Sequence, residues 1–190
     1  MPITINGSAG TITGVSTGGL PDGCVDADTL ASGANTNKIL QVVTNTLSGS
    51  SSIAADAESV TASGLITTVT TQGTGSSFLV SSVGANPHCN DGSGNSGVRL
   101  FLYASVNSGS YANVFGSEPF QSYHASVSWV DFPGTWTVHV TGLSYTVGQT
   151  IAFQPYFQEG QSAASTNYFH HTGGSGSTGT IRLTVQEVAA

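Results

Sequence analysis

The chain has 190 residues and a formal net charge of −7, with Lys38, Arg99 and Arg182 as its three basic side chains. That balance excludes the basic footprint by which a nucleic-acid-binding protein displaces phosphate counterions. It offers no attraction for an anionic membrane surface, and no run approaches the ~18 apolar residues of a membrane-spanning helix. Charged residues make up only 7% of the chain, yet 38% are hydrophobic, with eight Phe, six Tyr and two Trp, which argues for a packed core over disorder.

A chain of this length supports one domain of about 150 residues and an additional arm. The segment 1–37 is rich in Gly, Ser, Thr and Asn and spaces its apolar residues singly: Ile3, Ile5, Ile12, Val15, Leu20, Val25 and Leu30. Such a segment buries too little surface to offset the entropy of ordering it alone. Its recurrent apolar residues and turn chemistry suit a chain that becomes ordered against its own domain, sister copies or a partner. Residues 1–37 therefore read as an extended N-terminal docking arm and residues 38–190 as a β-sandwich knob. Within the arm, VDADTLA (25–31) could form one or two helical turns capped by Asp26 or Asp28. Asp22, Asp26 and Asp28 read as turn and cap residues, or alternatively as partners for basic residues on a shell. Met1 is not followed by a basic then apolar leader, so the expectation is cytoplasmic synthesis without classical export. Cys24 and Cys89 are then expected to be free thiols rather than a bridge.

From Lys38 onward the pattern changes to short alternating runs at 39–46, 65–71, 78–83, 98–106, 123–130, 135–141, 150–157, 166–170 and 180–188. Split by Gly, Ser, Asn and Pro clusters, they predict an all-β chain folded as an antiparallel β-sandwich, jelly-roll-like in character. A short helical turn is the alternative at AADAES (54–59). The QGTGSS (72–77) and GGSGSTG (173–179) stretches read as hairpin turns rather than phosphate cradles, because no helix follows them. In 98–106, Leu100, Leu102, Ala104 and Val106 share one face, with Phe101 and Tyr103 on the other.

The sharpest local expectation is a hairpin at Asp131-Phe132-Pro133-Gly134, pairing Val130 with Thr135 and setting Trp129 opposite Trp136. Tyr123, Ala125, Val127, Trp129, Trp136, Val138 and Val140 would then form the core face. His124, Ser126, Ser128, Thr137, His139 and Thr141 would form the other, with His124 and His139 as diagonal neighbours. A hydroxyl-rich, weakly charged face of that kind suits packing against sister subunits.

Little in the sequence points to catalysis. The ten acidic residues are scattered. Asp56 and Glu58 sit on an expected loop, while Glu118 and Asp131 flank an aromatic stretch, so no paired carboxylates for glycoside cleavage are evident. There is no Walker or zinc-spacing motif. No enzyme activity, cofactor or metal is expected. His170 and His171 are adjacent and in a strand would point to opposite faces, so they cannot share one metal. His124 and His139 are candidate interface histidines, whose protonation near pH 6 would weaken an oligomer. The loop Asn90–Asn95 alternates oxygen donors but has one carboxylate and no closing Glu, and reads as a turn rather than a calcium site. In SGSYANVFGSEPFQSY (108–123), Tyr111, Phe115, Phe120 and Tyr123 mostly fill the end of the sandwich. Tyr111 and Phe115, beside Asn and Gln, are the candidate glycan contacts.

Several phrases coincide with those of a known group. Gly-Leu-Pro-Asp-Gly (19–23), Val-Asp-Ala-Asp-Thr-Leu-Ala (25–31) and Lys-Ile-Leu-Gln-Val-Val (38–43) carry the likeness in the arm. SGLITTVTT (63–71), GVRLFLYASVN (97–107), the Trp/Pro segment, VGQTIAFQPYFQ (147–158) and GTIRLTVQEVAA (179–190) continue it downstream. Over nearly its whole length the chain resembles bacteriophage fibre and virion-surface proteins. The resemblance implies a homotrimer on a virion assembled in the host cytoplasm. The arm would anchor the knob to the major capsid protein or another virion protein, with Ile12, Val15, Leu20, Val25 and Leu30 as contacts. Lacking a long shaft or adaptor, the chain fits a capsid decoration (cement) protein or short head fibre. The alternative is a tail-fibre knob or carbohydrate-binding module recognising host surface glycans.

Overall fold

The computed structural model describes residues 4–6, 11–13, 38–48, 51–55, 60–85, 88–90, 95–115, 120–125, 129–131, 134–159, 165–170 and 180–190. The chain divides into two compact units, Met1–Thr36 and Asn37–Ala190. In the first, β1 (Thr4–Asn6) and β2 (Thr11–Thr13) pair antiparallel, with Ile5 opposite Ile12. The rest of the expected arm, including the possible helical turns at 25–31, lies outside the described residues.

In the second unit the strands are β3 (Ile39–Ser48), β4 (Ser51–Ala55), β5 (Thr61–Ala62), β6 (Thr67–Thr70), β7 (Ser77–Ala85), β8 (His88–Asn90), β9 (Asn95–Val106), β10 (Ala112–Asn113), β11 (Phe120–Ala125), β12 (Trp129–Asp131), β13 (Gly134–Val140), β14 (Thr150–Glu159), β15 (Ser165–His170) and β16 (Thr180–Val188). No helix occurs among the described residues. The orders β13-β7-β16-β3 and β12-β8-β15-β4 repeat one another, because the same four passes of chain build both. They are two four-stranded ladders of matching order, on β3 and β4, β16 and β15, β7 and β8, and β13 and β12. The facing sheet centres on the β9–β14 ladder, with β10 and β11 on the far side of β9 and β5 and β6 on the far side of β14. Numbering the eight passes along the chain, the sheets run 1-8-3-6 and 2-7-4-5. This is the pair of interlocked Greek keys of a jelly roll.

Alternation explains which residues face inward. In β16, Ile181, Leu183 and Val185 are buried while Thr180 and Arg182 are exposed, and β9 buries Leu100, Leu102 and Ala104. β14 adds Ile151, Phe153 and Phe157, and β13 adds Trp136, Val138 and Val140. These residues meet as one core between the sheets. At one end Phe78 packs against Phe153 and Tyr145, with ring centroids 5.4 and 5.8 Å apart. Burying each such aliphatic or aromatic side chain contributes about 1.5–3 kcal/mol.

The hairpin expected at 131–134 does not form. β12 and β13 belong to one pass, and both pair with the 77–90 pass: Asp131 is opposite His88 and Gly134 is opposite Ala85. The pairs Asp131–His88 and Gly134–Ala85 share one register. Pro133, which supplied much of the turn signal, lies outside the described residues. Trp129 and Trp136 therefore lie along one pass rather than across from each other. Two other turn expectations are corrected in the same way. Gln72–Ser76 is not a hairpin turn, because β6 pairs with β14 while β7 pairs with β13 and β16, so it carries the chain from one sheet to the other. β15 and β16 do not pair with each other either, since β15 pairs with β4 and β8 and β16 with β3 and β7, and GGSGSTG itself lies outside the described residues. Ala54 and Ala55 are extended, opposite Thr166 and Ser165, rather than helical.

Candidate functional site

The two outward faces of the sandwich differ in chemistry. On the β13-β7-β16-β3 sheet, strand register sets out three rows across the outer surface. Val42, Gln186, Leu79 and His139 form the first, and Thr44, Thr184, Ser81 and Thr137 the second. Thr46, Arg182 and Val83 form the third. Val42 and Val83 are about half exposed, at 55% and 50%. Arg182 is the one fixed charge in these rows. The Thr44 and Thr184 hydroxyls lie 2.9 Å apart and hydrogen bond to each other. Hydroxyls that bond one another across strands need little water, so this face is less strongly hydrated than a charged surface.

The outer face of the β9–β14 sheet carries aromatic rings. Tyr103 and Tyr156 stack with centroids 4.2 Å apart, and Tyr111 tilts against Tyr156 at 6.1 Å. Register places Phe101 opposite Tyr156, Tyr103 opposite Gln154 and Arg99 opposite Gln158. The next row is Thr68, Ala152 and Ser105, whose small side chains leave the surface low. Around it Ile66, Tyr111, Thr150 and the Ser108–Gly109 turn complete a groove of about 340 Å³. The turn is held firmly. Asn107 and Ser108 both have positive φ, 50° and 61°, as in a type I′ hairpin, and Gly109 N–H donates to Val106 O at 2.9 Å. The Ser105 hydroxyl donates to Gly109 O at 2.6 Å. Burial raises the Tyr111 phenol above its ordinary value, and Tyr156 adds to the effect. Burial raises Tyr156 likewise, with Tyr103 adding.

Among the described residues one carboxylate lies in the core. Glu187 is fully buried, in an inward row with Gln41 and Phe78. It accepts the Gln72 N–H on both oxygens, at 2.9 and 3.0 Å, and the Gly73 N–H at 2.9 Å. The Gln41 side-chain amide donates to it as well, and also to Thr70 O. Tyr145 donates from its hydroxyl to the carbonyls of Gly73 and Ser76. Glu187 is thus the anchor of the inter-sheet turn, with its acceptor capacity used up by donors from within the fold. Sequence reading did not single it out, because alternation in β16 marks its position as inward but not what would satisfy it.

The structure separates most of the residues singled out from sequence. His124 lies in β11, opposite Ser96, in the facing sheet from His139, which is exposed on β13 opposite Leu79. Within one chain they are not diagonal neighbours. Tyr111 lines the groove, whereas Phe115 packs toward the core beside Leu100, Leu102 and Trp136. The two candidate glycan contacts therefore belong to different environments. Ile12 sits in β2, while Val15, Leu20, Val25 and Leu30 lie outside the described residues. Cys89 and His88 are in β8 and His170 is in β15, with Cys24 and His171 outside the description. Of the acidic residues weighed, Asp131 ends β12, and Asp56, Glu58 and Glu118 are not described. Among the described residues no three His, Cys, Asp or Glu side chains gather as a metal would require, and no helix is long and apolar enough to cross a membrane. Tyr103 and Tyr156 were missed as partners of Tyr111. The outward alternation of Ala152, Gln154 and Tyr156 in β14 was the signal that could have found Tyr156.

No protein-family model matches the chain. No curated protein matches it in sequence.

Proposed function

We propose that this is a non-catalytic structural protein of a bacteriophage particle, a capsid decoration or head-fibre type knob that self-associates as a homotrimer and attaches through its N-terminal segment. The observation that carries the reading is the outer face of the β13-β7-β16-β3 sheet. Its three rows of Thr, Ser, Val, Leu and Gln hold a single fixed charge. A surface designed to stay solvated and monomeric carries about 25–35% charged residues overall. A face of small hydroxyls and half-exposed valines is better matched to a copy of itself, where hydroxyls exchange hydrogen bonds and little charge is desolvated. The jelly-roll topology supports the reading by analogy alone, since viral capsid proteins commonly use it. The trimeric state and the virion come from the resemblance in sequence phrases.

In this arrangement the knobs pack through low-charge faces, and the three N-terminal segments act together. Once one has docked, the others bind at a high effective concentration. Sedimentation equilibrium tests the central claim. The full chain is expected to run as a trimer, and Thr184→Lys with Thr137→Lys is expected to shift it to monomer without changing its circular dichroism. A wild-type chain that sediments as a monomer at high micromolar concentration overturns the reading. Removing residues 1–37 is expected to leave a folded knob that no longer co-sediments with phage capsids.

A further inference from the structure

We propose that the outer face of the β9–β14 sheet is a binding site for a neutral saccharide, seated in the groove beside Tyr111 with a sugar ring against the tyrosine cluster. The site is on the opposite sheet from the self-association face, so the two readings stand or fall separately. Three features of the groove define its ligand. Its floor is the row Thr68, Ala152 and Ser105, where small side chains on three neighbouring strands leave room between the taller Ile66 and Tyr111. At about 340 Å³ it falls within the usual range of ligand pockets, roughly 300–1,000 Å³. Its rim leads onto Tyr156 through the Tyr111 ring contact, and from there onto Tyr103.

The chemistry of the lining selects among ligands. Thr68, Ser108 and Thr150 bring hydroxyls that make no side-chain hydrogen bond among the described residues. Each can donate or accept. No charged side chain lines the groove. A phosphate or carboxylate would be left without a cation there, whereas a polyol finds donors and acceptors in both senses. A sugar ring also presents a C–H face, and tyrosine offers a flat apolar ring with a polar tip to match it. The Tyr111 and Tyr156 phenols, raised by burial, stay protonated and remain donors at neutral pH. Finally, the Ser108–Gly109 wall is fixed by the Gly109 and Ser105 hydrogen bonds, so little ordering is needed when a ligand enters.

The test uses the full chain and a panel of neutral oligosaccharides built from hexoses and N-acetylhexosamines, read by saturation-transfer NMR and calorimetry. At least one is expected to bind, with saturation passing from tyrosine rings to its C–H protons. Tyr111→Ala and Ala152→Leu are each expected to weaken it roughly tenfold, with Tyr111→Phe retaining more of the affinity than Tyr111→Ala. Ala152→Leu fills the floor from the outward side, so it tests the groove even if Tyr111→Ala perturbs folding. The proposal is overturned if no neutral oligosaccharide binds at millimolar concentration. It is equally overturned if acidic sugars bind as well as neutral ones, or if neither groove variant changes the affinity.

Discussion

A buried carboxylate is costly unless every oxygen is satisfied, and Glu187 shows how one strand position can fasten two sheets. The Gln72 and Gly73 N–H groups and the Gln41 amide all converge on it. Glu187→Ala would leave those donors unpaired and open a cavity, so urea denaturation is expected to register a loss of about 2–4 kcal/mol. Glu187→Gln keeps one acceptor oxygen and is expected to lose about half as much. The tyrosine cluster has a pH signature of its own. Tyr111 titrates above the ordinary phenol value because of burial and then of Tyr156, and Tyr156 because of burial and then of Tyr103. A phenol whose folded pKa lies above its unfolded value favours the native state while protonated. Its contribution is fully present below the unfolded value of about 10 and is lost as pH rises through the folded value. Urea midpoints are therefore expected to be insensitive to these two groups from pH 7 to 9 and to fall above pH 10, less steeply in Tyr111→Phe.

At the scale of strands, period-two alternation made most of the sandwich legible. The stretches at 98–106, 150–157 and 180–188 alternate cleanly, and the structure places strands at Asn95–Val106, Thr150–Glu159 and Thr180–Val188. Trp136, Val138 and Val140 were read as core and are buried. What alternation does not carry is which strand pairs with which. Asp-Phe-Pro-Gly has strong local turn chemistry, yet the 129–140 pass continues because the 77–90 pass beside it supplies a matching ladder on both sides. Local propensity lost there to pairing distant in sequence. The separation of His124 from His139 follows from the same error. The difference is open to a covalent test. Val130 is directly opposite Cys89, so Val130→Cys is expected to form a disulfide with Cys89 under mild oxidation, detected by mass spectrometry of peptides. A hairpin at 131–134 would instead place residue 130 beside residue 135, and no such bridge would form.

For the whole molecule, topology decides where the two ends of the knob emerge. The first and eighth passes are neighbours, joined over nine register pairs from Ile39–Val188 to Ser48–Thr180. Beyond the last pair, Ala189 N–H still donates to Lys38 O at 2.8 Å. The root of the N-terminal segment and the C-terminus thus leave the roll at one corner. This geometry gives the knob a mechanical character. Tension between Lys38 and Ala190 would open the β3–β16 ladder like a zipper, one bond at a time. Tension between Lys38 and an anchor at the opposite end of the sheet would instead pull β3 along its own axis, loading the whole ladder together with the Gln41 and Asn45 side chains that bond to Thr70 O and Ile66 O.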